Sequence, residues 1–289
     1  MKKRKILGLF LIFITILTTG CFKRDNLEGI EIVTTVYPLE FVTNYLYGDH
    51  SIINSVYPDG IDTTSYNLSE KQLNDYSKKK LFIYNRITND KDIALKFLEY
   101  NKNLKMIDAT QSMEISYGEE ELWLNPSNLL MMTQNIKNGL QEYMTNSYLE
   151  KEIDNKYNEI KVSLSELDAE FKLTAENATR KTIVVNSDVL KCLEKYGFNV
   201  ISLDDKTNPV TEKTINDVVS KINSGEVKHL FILENTANSD AVNQVIKQTE
   251  IETYTYKRLD SITDSERDEK DDYFTIMNNN IELLRNELY

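Results

Sequence analysis

Side chains that bind metal ions or carry out acid–base chemistry are mostly carboxylates in this chain. Its 289 residues include only two histidines and two cysteines, against 46 aspartates and glutamates. His50 lies in the turn before a predicted strand and His229 begins a buried one, so we expect neither to be a ligand. Zinc sites favour imidazole, thiolate and carboxylate in a tetrahedral shell. Carboxylate oxygens are the main ligands that remain, and they suit harder cations.

Two short segments concentrate these carboxylates. GEEE at 118–121 is typical of a solvated turn. DSERDEKDD at 264–272 mixes both signs of charge and lacks the Asp-x-Asp-x-Asp-Gly order of a calcium loop, which predicts a solvated loop. A hydrolase with Glu121 and Asp260 as acid and base is conceivable. The chain shows no nucleophile–base pair, phosphate loop or zincin motif, so we predict that it is not an enzyme.

The N-terminus predicts export and lipid attachment. Basic residues follow Met1, then an apolar run from Ile6 to Leu17 and the tetrapeptide TTGC, which ends at Cys21. A basic region, a short apolar region and small residues before a cut describe a secretory signal, and the run is too short to span a bilayer comfortably. TTGC resembles a bacterial lipobox, in which Cys21 is acylated. We therefore expect a lipid-anchored protein on the extracytoplasmic face of the bacterial membrane.

The second cysteine is predicted to be a packing residue. With Cys21 lipidated, Cys192 has no partner for an intrachain disulfide. It lies within VLKCLEKYG at a helical spacing that indicates burial. A catalytic thiol would need a basic partner to form thiolate.

The formal net charge of −12 limits the partners of the chain. Nucleic-acid binding requires a basic face that neutralises phosphates, so we exclude it. The acidity does not identify a solute, because acidic surfaces are usually just solvated.

Strands and helices alternate through both ends of the chain but not through its middle. This alternation predicts an α/β fold of two lobes, each a mostly parallel sheet flanked by helices. From Pro126 to about Ala178 there is no strand signal, and an apolar stripe predicts one long bridging helix. The stripe comprises Ile153, Tyr157, Ile160, Leu164, Leu167 and Phe171. The predicted segments are a signal peptide with lipobox (1–21), a tether (22–29), an N-terminal lobe (30–125), a helical region (126–180) and a C-terminal lobe (181–289).

Several segments, in order, resemble the metal-binding subunits of bacterial zinc and manganese ABC importers. They are IVTTVYPLEFVTNYLYGD, LFIYN, LWLNPSNLLMMTQNI, KYGFNVISL and DSITDSERDEKDDYFTIMNNNIELL. Their order and spacing span nearly all of the mature chain. The resemblance implies lipoproteins with two α/β lobes bridged by a rigid helix, and a metal bound between the lobes by four loops.

The resemblance implies a ligand set in which the family's histidines are replaced. Thr64 stands where the family has its first histidine, Glu121 where it has its second, and Asn186 at the third position. Asp260 matches the family's final acid. The predicted metal site is thus Glu121, Asp260, Asn186 and Thr64, an all-oxygen set that suits Mn²⁺, Ca²⁺ or Mg²⁺ rather than Zn²⁺.

The function implied is that of an extracytoplasmic solute-binding lipoprotein of a metal-type ABC importer. Its ligand would be one divalent cation (Mn or Zn) or a related small solute in the inter-lobe cleft. Its partners would be a permease, an ATPase and, through its lipid, the membrane, with the protein itself a monomer. The alternative is a metal-free surface lipoprotein of the same fold that acts as an adhesin or accessory interaction protein.

Overall fold

This computed structural model describes residues 25–206 and 208–289, so Cys21 and the predicted signal peptide lie outside the described residues. The strands are β1 (Glu31–Thr34), β2 (Ile52–Ser55), β3 (Leu81–Tyr84), β4 (Lys105–Asp108), β5 (Thr182–Val185), β6 (Asn199–Ser202), β7 (His229–Leu233) and β8 (Glu252–Tyr256). The helices are α1 (Tyr37–Tyr47), α2 (Glu70–Ser77), α3 (Asp90–Tyr100), α4 (Glu121–Leu124), α5 (Pro126–Tyr143), α6 (Ser147–Asn177), α7 (Glu212–Asn223), α8 (Asp240–Thr249), α9 (Asp264–Asp268) and α10 (Tyr273–Leu288), with a 3₁₀ helix at Asp188–Tyr196.

Two parallel four-stranded sheets form the two lobes. Their strand orders are β2-β1-β3-β4 and β6-β5-β7-β8, so the second sheet repeats the topology of the first. All pairs are parallel, with Val33 opposite Phe82 in the first sheet and Val184 opposite Leu230 in the second. Parallel strands buried on both faces read as apolar runs, as LFIY and TIVV do. The predicted two-lobe α/β fold is confirmed.

Helix α6 is the predicted long helix between the lobes. Its 31 residues begin at a cap in which the Asn146 side chain accepts a hydrogen bond from the Tyr148 amide. The predicted stripe faces the protein: Ile160, Leu164 and Phe171 are fully buried. The helix packs on α5 and α1 of the first lobe and on α10 of the second. Neither it nor any other helix in the described part of the chain is long and apolar enough to cross a membrane.

Trp123 ties the two lobes together at their centre. It is fully buried in a core that runs through both lobes. Its indole Nε1 donates to the Arg258 carbonyl (2.8 Å), and its own carbonyl accepts from the Tyr273 hydroxyl (2.6 Å). Truncating a tryptophan in such a place typically costs about 3–5 kcal/mol. The inter-lobe contact is therefore a part of the core.

Residues 25–29 differ from the predicted tether. Leu27 is fully buried in the main core. The Asp25 carboxylate accepts hydrogen bonds from the amides of Thr145 (2.7 Å) and Asn146 (2.9 Å), which precede α6. A buried carboxylate is favourable when several N–H groups satisfy it. This short segment belongs to the folded body.

The segment around Cys192 is a 3₁₀ helix, whereas its spacing indicated an ordinary helix. Gly197 ends it at φ 101°, a left-handed conformation that favours glycine. Cys192 is partly buried and packs against the main core. Burial raises the pKa of its thiol to about 12, so thiolate is scarce at neutral pH. These features agree with the packing role predicted for it.

Candidate functional site

A cavity of about 370 Å³ opens between the lobes at the carboxyl ends of their strands. Residues 117–120, which follow β4, form its wall on the first lobe. Residues 187–189, after β5, and Arg258, after β8, face them from the second lobe. Loops at this edge of an open parallel sheet are where α/β proteins bind ligands. The cavity therefore marks the candidate site.

Arg258 is the centre of this site. Its side chain is only 5% exposed, and four carboxylates surround it. The guanidinium nitrogens lie 2.6 Å from Glu120, 3.6 Å from Asp62, 3.8 Å from Asp260 and 3.9 Å from Glu119. Burying an arginine is costly unless opposite charges compensate it. Here the compensation comes from both lobes, with a formal excess of three negative charges.

The chain geometry after β8 aims two opposite charges into the cleft. Leu259, between Arg258 and Asp260, has φ 64°, a left-handed conformation that costs a non-glycine residue about 1–2 kcal/mol. The Asp260 carbonyl accepts from the Tyr37 amide (3.0 Å), which fixes the turn to the first lobe. The bend brings Asp260 back beside the guanidinium of Arg258.

The loop after β2 contributes Asp62 and the two threonines that follow it. The Asp62 carboxylate accepts from both the amide (3.0 Å) and the hydroxyl (2.6 Å) of Thr64. The Thr64 hydroxyl, helped by the more distant charge of Arg258, lowers the pKa of Asp62. The Thr63 hydroxyl donates to Asp260 across the cleft (2.5 Å). Asp62 is therefore a charged group at neutral pH.

Glu119 has the opposite electrostatic situation. Burial, followed by the neighbouring charges of Glu120 and Asp90, raises the pKa of its carboxyl group to about 7. Arg258, 3.9 Å away, offsets only part of this effect. A nearby cation lowers the pKa of such a carboxyl group, because it favours the ionised form. The ionised fraction of Glu119 at neutral pH would therefore rise when a cation binds. Glu119 is thus a group whose charge depends on what occupies the cleft.

The four predicted ligands do not converge. Asp260 lies against Arg258, and Thr64 lines the cavity with its hydroxyl bonded to Asp62. The Glu121 carboxylate instead accepts from the amides of Ser116 (2.6 Å) and Tyr117 (3.2 Å). Glu121 therefore holds the turn that precedes α4.

Asn186 is likewise engaged within its own lobe. It is fully buried, its Oδ1 accepts from the Leu233 amide (2.8 Å), and its Nδ2 donates to Asn238 (3.3 Å). These bonds connect the end of β5 to β7 and to the loop after it. Its side-chain oxygen already accepts a hydrogen bond from within the second lobe.

Histidine plays no part in the cleft. His50 bonds to Glu152 on α6 (3.1 Å), and His229 bonds to Glu287 on α10 (2.8 Å). Over residues 25–206 and 208–289, no three histidine, cysteine, aspartate or glutamate side chains gather closely enough to hold a metal ion as they stand. The four carboxylates are spread around the guanidinium.

A second cavity, of about 360 Å³, lies within the first lobe and shares Thr64 and Glu119 with the inter-lobe cavity. Its walls include Tyr57, Tyr66 and Asp90. The Tyr57 hydroxyl donates to Asp90 (3.3 Å), and burial raises the pKa of Asp90 to about 6. Space is therefore available on two sides of the acidic cluster.

Sequence reasoning missed Arg258, Asp62, Glu119 and Glu120. Glu119 and Glu120 adjoin the predicted Glu121, but successive residues of a helical turn point about 100° apart. Arg258 stands two residues before the predicted Asp260 in KRLDSI. The alternation of side chains places Arg258 and Asp260 on the same side, but this alternation is a weak guide beyond the end of a strand. Nothing in the sequence indicated that the Arg258 side chain would be buried.

Comparisons with known proteins agree on a family. The family model described as periplasmic zinc-uptake complex component A (ZnuA) matches residues 32–287. The manganese ABC transporter substrate-binding lipoprotein PsaA of Streptococcus pneumoniae is 25% identical, over 97% of this chain and 98% of its own length. The zinc-binding protein AdcA of Streptococcus pyogenes is 24% identical over 99% of this chain, which spans 61% of AdcA.

A solved structure shows the same fold. The Zn(II)-bound ZnuA-like domain of Streptococcus pneumoniae AdcA has a TM-score of 0.71 and 20% identity, and the match covers 90% of this chain and 99% of that one. The family resemblance read from the sequence is confirmed. Because the family model spans both lobes and the long helix, this chain belongs to the ZnuA family of zinc-uptake components.

Proposed function

We propose that this chain is the extracytoplasmic solute-binding lipoprotein of an ABC importer and that its inter-lobe cleft binds a divalent metal cation. A lipid on Cys21 would hold it at the membrane, where it would deliver its solute to a permease and an ATPase as a monomer. Its family comprises solute-binding components of importers and is not an enzyme family. Family membership supports this function over that of a metal-free adhesin.

The observation that carries the proposal is the set of carboxylates around Arg258. Asp62, Glu119 and Glu120 come from the first lobe and Asp260 from the second. We propose these four as the cation-binding groups. Of the set predicted from the sequence, Asp260 is retained, whereas Glu121 and Asn186 hold backbone amides.

The chemistry of the donors selects among cations. All of the proposed groups are oxygen donors, which suit Mn²⁺ or Ca²⁺ better than Zn²⁺. PsaA is named as a manganese protein and AdcA as a zinc-binding one. We therefore expect Mn²⁺ to bind more tightly than Zn²⁺ in this cleft.

Calorimetric titration of residues 22–289 with Mn²⁺, Zn²⁺ and Ca²⁺ tests the proposal. Asp260→Asn should weaken Mn²⁺ binding by about tenfold or more, since it removes a charged donor. The matched control is Glu252→Gln, at the opposite end of β8, where the Glu252 side chain is 87% exposed. It should leave affinity unchanged. Absence of binding by all three ions, or equal affinities of the parent and Asp260→Asn, would refute the proposal.

A further inference from the structure

We infer that the Arg258 guanidinium is a tethered cation that occupies the acidic cluster and competes with a soluble divalent cation for it. The inference rests on the proposed function and adds to it a built-in competitor. Binding of a metal would then require Arg258 to leave the cluster, so this residue would set the affinity and the threshold concentration of the site.

The contacts of Arg258 differ from those of an arginine placed to join two elements. Arg267, which connects the lobes at the surface, bonds both oxygens of Asp59 (2.6 and 2.8 Å) and both oxygens of Glu40 (3.1 and 3.3 Å). Among the described residues, Arg258 has a single carboxylate contact of hydrogen-bond length, to Glu120 (2.6 Å). Its buried Nε has no hydrogen-bond partner within residues 25–206 and 208–289 and lies 3.8 Å from Asp260.

This pattern indicates that the carboxylates attract the Arg258 guanidinium by charge and fix its position only weakly. Ion pairs of bidentate geometry bind arginine strongly and fix its position. Three of the four contacts of Arg258 are longer than 3.5 Å, so they add Coulombic energy and little geometric restraint. A group held in this way is displaced more readily by a cation of higher charge.

The spacing of the carboxylates is that expected around a guanidinium. They approach different nitrogens of Arg258, with Asp62 near Nη1, Glu119 and Glu120 near Nη2, and Asp260 near Nε. Divalent cations require oxygens at about 2.0–2.6 Å. The guanidinium thus keeps the acids farther apart than an ion would hold them, and its departure would let them close.

The structure also gives the side chain a place to go. Arg258 lines the inter-lobe cavity of about 370 Å³. Its carbonyl is held by Trp123 and the neighbouring Asp260 carbonyl by Tyr37, so the backbone is fixed on both sides of the bend. Displacement therefore needs rotation about side-chain bonds and no opening of the lobes.

Two substitutions separate the charge of Arg258 from its bulk. Arg258→Gln removes the charge and keeps a polar side chain, whereas Arg258→Lys keeps the charge. In calorimetric titrations of residues 22–289, we expect Arg258→Gln to bind Mn²⁺ at least about tenfold more tightly than the parent. Arg258→Lys should bind Mn²⁺ less than about threefold more tightly than the parent. Arg267→Gln, which removes an arginine from the other acidic inter-lobe pair, should leave Mn²⁺ affinity within about twofold of the parent.

Thermal melting gives an independent readout. Without cation, Arg258→Gln should melt below the parent because four carboxylates repel one another. Saturating Mn²⁺ should raise its melting temperature by more than it raises that of the parent, since a ligand that binds only the folded state stabilises it. Should Arg258→Gln fail to fold, the double variant Arg258→Gln/Glu120→Gln removes one acid together with the cation. It is then compared with Glu120→Gln, which takes the place of the parent.

The outcomes separate this inference from the proposed function. Equal, Asp260-dependent affinities of the parent and Arg258→Gln would overturn the inference and leave the proposed function intact. Tight binding by Arg258→Gln with none by the parent would support the inference and refute metal binding by the natural chain. If the parent binds Mn²⁺ and a folded Arg258→Gln does not, the inference alone is overturned, and if neither binds a cation, both are refuted.

Discussion

The two lobes share a strand order but differ in the hydrogen bonds made at the carboxyl ends of their central strands. Each has a fully buried asparagine directly after such a strand, Asn85 after β3 and Asn186 after β5. Asn186 uses both ends of its amide, on Leu233 and Asn238. Asn85 accepts from the Ile87 amide (3.2 Å), but its buried Nδ2 has no hydrogen-bond partner in the part of the chain that the structure describes.

This difference shows that the lobes have separate roles in the cleft. The second lobe bonds both ends of the Asn186 amide and presents Arg258 and Asp260 from one bend. The first lobe supplies the remaining three carboxylates of the cluster and keeps the buried acid Asp90 beside them. A repeated topology therefore does not imply repeated chemistry, because loops change independently of the strands that carry them.

The largest expected effect tests the two asparagines directly. Asn186→Ala should lower the free energy of unfolding by about 2–3 kcal/mol, because the Leu233 amide would remain buried without its acceptor. Asn85→Ala should cost only about 1 kcal/mol, since one end of its amide is already unbonded. Urea denaturation followed by circular dichroism measures both values. Equal costs would contradict the contrast between the lobes.

A second prediction compares two aspartates at the same point of each lobe. Asp90 begins α3 after β3, and Asp240 begins α8 after β7, but only Asp90 is buried. Burial raises the pKa of Asp90 to about 6, against 3.8 as its ordinary value. We expect Asp90→Asn to be more stable than the parent by about 1–2 kcal/mol near pH 8, and Asp240→Asn to change stability by less than about 0.5 kcal/mol.

The pH dependence gives the sign of this effect. Between about pH 4 and 6 the folded parent binds more protons at Asp90 than the unfolded chain does, so its stability falls as the pH rises. The difference between Asp90→Asn and the parent should therefore grow from near zero at about pH 4 to its full value above about pH 6. Denaturation midpoints measured across this range test it. A constant difference would contradict the assignment to Asp90.

The smallest effect concerns the surface connection between the lobes. Arg267→Lys removes the bidentate bond to Asp59 and part of the contact to Glu40. Because the Arg267 side chain is 42% exposed, we expect a loss of about 1 kcal/mol or less at low salt, and less again at high salt. Thermal melting at two salt concentrations measures it. A loss that does not depend on salt would indicate a packing role for this side chain.

The sequence predicts the frame of this protein better than its cleft. Strand positions follow from short apolar runs such as LFIY, whose burial on both faces leaves little freedom. The direction of Glu121 was not predictable in this way, because it depends on which backbone amides of the preceding turn need an acceptor. The burial of Arg258 depends on charges from Asp62 and Glu120, almost 200 and 140 positions away in the chain, respectively.

The bonds made by the segment from Arg258 to Arg267 change where the molecule can bend. This segment follows β8 in the chain, yet the amides of Tyr37 and Gly60 donate to the carbonyls of Asp260 (3.0 Å) and Ile262 (2.8 Å). The Arg258 amide also donates to Glu234 after β7 (3.4 Å), so the segment is bonded to both lobes. A swing of the second sheet would therefore strain bonds on both sides of the cluster. Exchange at the cluster would then follow the rotation of one side chain, and the rate of lobe motion would not limit it.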